Sequence, residues 1–309
     1  MQSRPGYGGV CWKLGLKREV GRMVNSFVKR ILLPVVVVIT VAGCATQPNI
    51  DTSASPTSAT STESSSPDVL EDYVFYFVGE TLSGFRLFQE VHQVSASENE
   101  LGDDKGLNAL VMLVDGQLPP FDGDHKTLWN NGTKINGVTR LGDTATVDLQ
   151  LGRISFGSET EQRAIDQIVW TLTANDPTIT SVNIIVDGKP IESIAGHVDA
   201  TKAFTRGLDY EVLASVWIDL LDKSDLVSPV TISGSACTFE ANVAWELSQG
   251  DAIVQSGATT AKTACPDRSE WTIDLGTLAV GDYTLRVFDT SAQDGTVISE
   301  DTKDFVVLN

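Results

Sequence analysis

"SETEQRAIDQIVWTLT", residues 158–173, decides the fold of the first half of this chain. Ala164, Ile165, Ile168, Val169 and Leu172 recur at helical spacing and share one face, as in a helix packed against a sheet. Ser158, with Glu161 three residues on, reads as a capping box at the start. Pro177 closes the helical region because proline cannot continue the hydrogen-bond ladder. Strand patterns flank the helix. "TKINGVTRLGDTATVDLQL", 133–151, reads as two strands around a Gly142–Asp143 turn, and "TSVNIIVDGKPI", 180–191, as a strand with an Asp187–Gly188 turn.

The preceding segment continues the pattern. Residues 72–78 and 85–94 are rich in Val, Phe and Tyr, are separated by Gly79 and Gly84, and read as strands. Asp103 or Asp104 caps a helix over 104–114, where Leu107, Leu110, Val111 and Val114 form the stripe of a half-buried helix. The order is β-β-α-β-β-α-β, an α+β domain over 70–205. Beyond 212 the character changes. Short strands recur between turn residues, as in "VTISGSACTF", "NVAWELS", "EWTIDLG" and "DYTLRVFDTS", with no helix required. This reads as a β-sandwich over 212–309. Tyr283, Leu285 and Val287 alternate onto one face, and Trp245 and Trp271 are expected to fill its core.

Upstream of both domains, "VVVVITVAGCATQPN", 35–49, ends an apolar run of 13 residues, Ile31–Gly43. A spanning helix needs about 20. The run is preceded by Lys29 and Arg30 and ends on small residues before Cys44, the layout of an export signal. The stretch closely resembles the lipobox of bacterial lipoproteins. That resemblance implies that residues 1–43 are removed and that the Cys44 thiol carries a lipid, placing the protein on the extracytoplasmic face of the cell membrane. The signal is complete from Met23, a candidate for the true start. Residues 44–69 are Ser/Thr/Pro-rich with almost no large apolar group, the composition of a flexible tether and a candidate for glycosylation.

Charge narrows the partners. The chain has 22 basic and 41 acidic residues, and residues 1–43 hold seven of the former and one of the latter. The remainder is therefore −25, which disfavours nucleic acid and anionic head groups. Of the four cysteines, Cys11 is removed and Cys44 lipidated. Cys237 and Cys265 remain in an oxidising setting, where a pair reads as a disulfide and two isolated thiols are the alternative. The closed loop is worth roughly 3.6 kcal/mol in the chain-entropy account.

No constellation announces chemistry. His92, His125 and His197 stand apart, without HExxH or HxH spacing. Asp122, Asp124 and His125 in "FDGDHK" are the one tight ligand-like group, and a polar turn accounts for them. Lys126 and Thr127 break an EF-hand register. "SGSAC" is not G-x-S-x-G, and no phosphate-binding glycine loop follows a strand. No catalytic residue, metal or cofactor is assigned.

Taken together, "YVFYFV", "LNALVMLVDG", "GVTRLGDTATVDLQ", "EQRAIDQIVWTLT" and "VNIIVDGKPI" resemble the GerMN domain of spore-germination and sporulation lipoproteins. "SPVTISGSACTFEANVAWEL", "EWTIDLG" and "GDYTLRVFDTSAQDGTV" resemble the immunoglobulin-like domain that often follows it. The resemblance implies an α+β GerMN domain followed by an all-β immunoglobulin-like sandwich. It also implies an envelope lipoprotein without known chemistry that acts through protein contacts, related to ring-building domains and to lipoproteins paired with sensor kinases. The expected role is a non-enzymatic binding or scaffolding module for an envelope protein partner. A cell-wall glycan or peptide binder is the alternative, and a hydrolase with an unrecognised site a further one.

Overall fold

The computed structural model describes residues 70–95, 104–116, 118–221 and 223–309. The export signal, Cys44 and the tether lie outside the described residues. Among the described residues, no helix is long and apolar enough to cross a membrane.

Aromatic and β-branched residues around a tight Gly84 turn form the first hairpin, β1 (Leu70–Thr81) and β2 (Gly84–Ser95). Gly84 has φ +95°, a conformation that favours glycine. Helix α1 (Lys105–Val114) is capped by Asp104, whose Oδ1 accepts the Leu107 N–H at 2.9 Å. The helix is buried on nearly every side rather than along one stripe, from Asn108 to Val114 without a break. Strands β3 (Lys134–Leu141) and β4 (Thr144–Gln150) make the expected hairpin. Helix α2 (Ser158–Asn175) then crosses back, so that β5 (Ser181–Val186) pairs parallel to β4 and antiparallel to the short β6 (Lys189–Pro190). The core between helices and sheet holds Phe75, Phe77, Leu110, Leu149, Ile165 and Ile168.

A short helix, α3 (Asp209–Val212), leads into the second half. There β7 (Val216–Ile218), β9 (Val230–Ala236) and β12 (Ser269–Gly276) form one sheet in the order β12-β9-β7. The other sheet comprises β8 (Ser224–Val227), β10 (Asn242–Gln249), β11 (Ala252–Thr260), β13 (Gly281–Thr290) and β14 (Val297–Leu308). Its order is β11-β10-β13-β14-β8. Inward residues alternate along each strand, so Trp271, Leu285, Val287, Phe305 and Val307 meet between the layers. The fold is therefore α+β followed by an immunoglobulin-like sandwich. Trp271 is buried as expected, but Trp245 is only half covered, its ring lying over Gly257 in the edge strand β11. An edge strand has no neighbour to close its outer side. Cys237 and Cys265 are disulfide-bonded, with Cα atoms 4.5 Å apart, tying the end of β9 to the loop before β12.

The described residues pack as one unit. Between the two cores lies a third cluster: Tyr76, Leu87, Phe88 and Trp170 from the first half, Leu213 and Trp217 from the second. The Ala214 N–H donates to the Leu87 carbonyl at 2.9 Å. Arg268 reaches from the sandwich to the Asp209 carboxylate and to the Ala214 carbonyl, while its guanidinium lies 3.9 Å from the Trp217 ring centroid.

Candidate functional site: a buried ionic cluster at the domain junction

On an ordinary strand, alternating inward positions are apolar. On β2 two inward positions are Glu90 and His92, and on β14 three are Ser299, Asp301 and Lys303. The loop after α1 adds Asp122 and His125, both buried. The chain brings all of these together where the hairpin of the first domain meets β14 of the second. Burying a charge costs several kcal/mol unless it is paired, and each of the charged groups here is paired.

Glu90 is the hub on the first-domain side. Its Oε2 accepts from His92 Nε2 at 2.9 Å and from the Phe121 N–H at 2.8 Å. Its Oε1 takes His125 Nδ1 at 3.0 Å and the Asp122 N–H at 3.3 Å. Burial pushes the Glu90 carboxyl up, but the hydrogen bonds from His125, His92 and Phe121 outweigh it and bring it down to about 2. An ionised carboxylate only accepts, so both imidazoles must donate to it. In its neutral form His125 then presents an unprotonated Nε2, which faces Asp122 Oδ2 at 3.8 Å, beyond hydrogen-bond range. Both rings are packed flat: His92 on Phe121 with centroids 3.7 Å apart, His125 on Phe88 at 4.4 Å. Gly79 makes room for the His125–Phe88 stack, because a Cβ there would meet the Phe88 ring at 2.6 Å.

Lys303 is the hub on the other side. Its ammonium donates to Asp122 Oδ2 across the junction and to Asp301 Oδ1 at 2.9 Å on its own strand. Asp301 Oδ2 accepts the Ile218 N–H at 2.7 Å, and Asp122 Oδ1 accepts the Asp124 N–H at 2.8 Å. Burial opposes the charge on Lys303, but Asp301 and Asp122 hold the ammonium above its ordinary range. Burial likewise raises Asp122, yet the charge His125 carries when protonated and the Lys303 ammonium pull it below the usual carboxylate range. For Asp301 burial wins and the carboxyl is pushed up. Two recesses flank the cluster. One, of about 300 Å³, is lined by Glu80, Asp122, Asp124, His125, Glu300 and Asp301. The other, of about 220 Å³, is lined by Glu90, Phe121, Ile218, Asp219, Leu221 and Lys303.

Several sequence-based expectations change here. His92 and His125 do not stand apart; they share Glu90. "FDGDHK" contains the expected polar turn, since Asp122 holds the Asp124 backbone, but of Asp122, Asp124 and His125 only Asp124 is exposed. Asp122 and His125 face inward: His125 bonds Glu90 within the first domain, and Asp122 pairs with Lys303 across the junction. Sequence reasoning missed Glu90, Asp301 and Lys303. The available signal was charge at positions of one parity on strands whose other members are Leu, Phe and Val.

The capping box is a further correction. Gly157 is the N-cap, and Ser158 makes no side-chain cap bond. Glu161 is fully buried and turns away to a loop that offers more donors. It accepts the Ser193 hydroxyl at 2.7 Å, the N–H groups of Ile194, Ala195 and His197, and His197 Nδ1 at 3.0 Å. Burial opposes ionisation, but these bonds hold the Glu161 carboxyl below its ordinary range. A carboxylate held below its ordinary range is too weak a base for the bond to activate the Ser193 hydroxyl as a nucleophile.

Residues 74–192 match the family model described as Germane, sporulation and spore germination. Residues 221–296 match that described as Gmad2, immunoglobulin-like domain of bacterial spore germination. Among solved structures, the chain is similar to the tandem GerMN domains of the sporulation protein GerM from Bacillus subtilis. The identity is 17% over 45% of this chain and 45% of that one, with a TM-score of 0.35. It is similar to the first GerMN domain of the same protein at 22% identity, over 44% and 98% of the two chains, TM-score 0.35. A putative lipoprotein from Clostridium perfringens is 22% identical over 45% and 91%, TM-score 0.29. The chain thus spans less than half of the tandem GerM structure. No curated protein sequence matches it. The chain therefore carries a Germane domain over residues 74–192 followed by a Gmad2 immunoglobulin-like domain over residues 221–296, both of the sporulation and spore-germination type.

Proposed function

We propose that this protein is a cell-envelope lipoprotein, held at the extracytoplasmic membrane face through Cys44, whose paired domains bind or scaffold another envelope protein without turnover. The observation that supports this reading most is the junction itself. Charged side chains that an enzyme would aim at a substrate are here spent on each other, fastening β2 and the 121–125 loop to β14. A body of fixed shape presents two domain surfaces in constant relation, which lowers the ordering cost of a contact that uses both. The acidic surface favours a partner of basic or neutral surface over nucleic acid.

In-cell crosslinking followed by mass spectrometry tests the reading. Discrete protein adducts that recur between preparations and vanish when Lys303→Met disturbs the junction are expected. Adducts made only of wall glycan or peptide would replace this reading with the wall-binding one. Turnover of wall material by the purified chain would replace it with a hydrolase.

A further inference from the structure

We propose that Asp122, His125 and Asp301 form a divalent metal site in which the ion competes with the Lys303 ammonium for the two carboxylates. The three side chains are buried, and one potential ligand atom from each lies within 4.8 Å of the others. One imidazole and two carboxylates suit zinc and its first-row neighbours. His125 already has the support that metal-bound imidazoles require. Its Nδ1–H is held by Glu90, which fixes the ring and leaves Nε2 as the ligand nitrogen. That Nε2 makes no hydrogen bond, its side chain is only 5% exposed, and it borders the acidic recess with Asp122 and Asp301.

Ligand atoms around a tetrahedral zinc stand about 3.3 Å apart, for bonds near 2.0 Å. The three side chains must therefore draw inward by about an ångström, and the Lys303 ammonium stands in the way. It also lines the second recess, together with exposed Asp219. Lys303 can keep its proton and swing there as the ion enters. The ion takes over both carboxylates as the Lys303 hydrogen bonds to them break, and no covalent bond of the protein changes. The fourth metal position faces the acidic recess.

Zinc titration of the full chain by calorimetry, with imidazole NMR as a second readout, tests the proposal. One ion per chain is expected, with the His125 Nε2 resonance shifting while the Nδ1–H bond to Glu90 persists. His125→Gln and Asp301→Asn should abolish that event, and Glu90→Gln should weaken it roughly 10–100-fold. Lys303→Met should bind more tightly, because the competing cation is gone. His197→Gln removes the exposed histidine among the described residues and should leave the event unchanged. Absence of zinc uptake by the wild-type chain would overturn the proposal. So would uptake that shifts only His197 or survives His125→Gln.

Discussion

Lys303 of the last strand pairs with Asp122, 181 residues earlier, and both are buried. The pair spans the two domains. Its free energy is a difference between large terms: desolvation of both charges against their attraction and hydrogen bonds. Two consequences follow for mutation. Removing Lys303 alone leaves Asp122 and Asp301 facing each other without a cation. Lys303→Met is expected to cost about 3–5 kcal/mol. Asp122→Asn, Asp301→Asn and Lys303→Met together leave no orphan charge and should recover most of that loss. Urea denaturation of wild type, the three single variants and the combined variant checks this. Additive losses in the combined variant would show that the charges are not coupled.

The turn residues should separate just as clearly. Asp122→Ala exposes the same lysine to an empty partner position and should destabilise by several kcal/mol. Asp124→Ala, at an exposed position, should stay within about 0.5 kcal/mol of wild type. Equal effects from the two substitutions would contradict the assignment of one to the interior and one to the surface.

Acid should loosen the junction through Glu90. Its folded value of about 2 lies below the ordinary glutamate value of 4.5. A depressed carboxyl contributes stability that is present above the unfolded value and is lost as pH falls through the folded one. The window is therefore about pH 4.5 down to 2, and the contribution is of the order of 3 kcal/mol. Thermal unfolding across that range should show a steep loss in wild type and a shallower one in Glu90→Gln. Parallel curves would remove Glu90 from the account.

How much of this was legible in the sequence depends on what kind of pattern carried it. Periodicity served well where one face is apolar: β1 to β5, α2 and the sandwich strands follow from residue alternation and spacing. It also placed Asp104 at its helix cap. It failed where a side chain's partner is distant in the chain. Glu161 has the right spacing for a capping box but found five donors in the 193–197 loop. Glu90 and His125 meet only when the first domain folds, and only the packing of sandwich against hairpin brings Lys303 to Asp122. Periodicity also understated the burial of α1, because helix α2 and the sheets cover its second face as well.

The first core should be intolerant of charge. Ile168 is fully buried under α2. Ile168→Asp places an unpaired carboxylate there, at a cost of several kcal/mol or local unfolding. Circular dichroism of the variant and its abundance in cells should both fall. Normal abundance with a cooperative transition would contradict the core assignment.

Membrane attachment rests on Cys44. Cys44→Ala should release the protein from the membrane fraction or leave its precursor uncleaved, read by fractionation and immunoblot. Normal processing with full membrane retention would remove the lipid anchor from the proposed function.

The central claim is that the two domains act as one body. The most direct test is the distribution of distances between spin labels placed at Leu141, on the exposed β3–β4 hairpin, and at Ile253, on the exposed edge strand β11. Non-cysteine labels leave the Cys237–Cys265 disulfide intact. Pulsed electron-electron resonance on the wild-type chain should give a single narrow distribution, because the buried ionic cluster and the Trp217–Arg268 contact hold the domains in one arrangement. A broad or multimodal distribution would contradict the account.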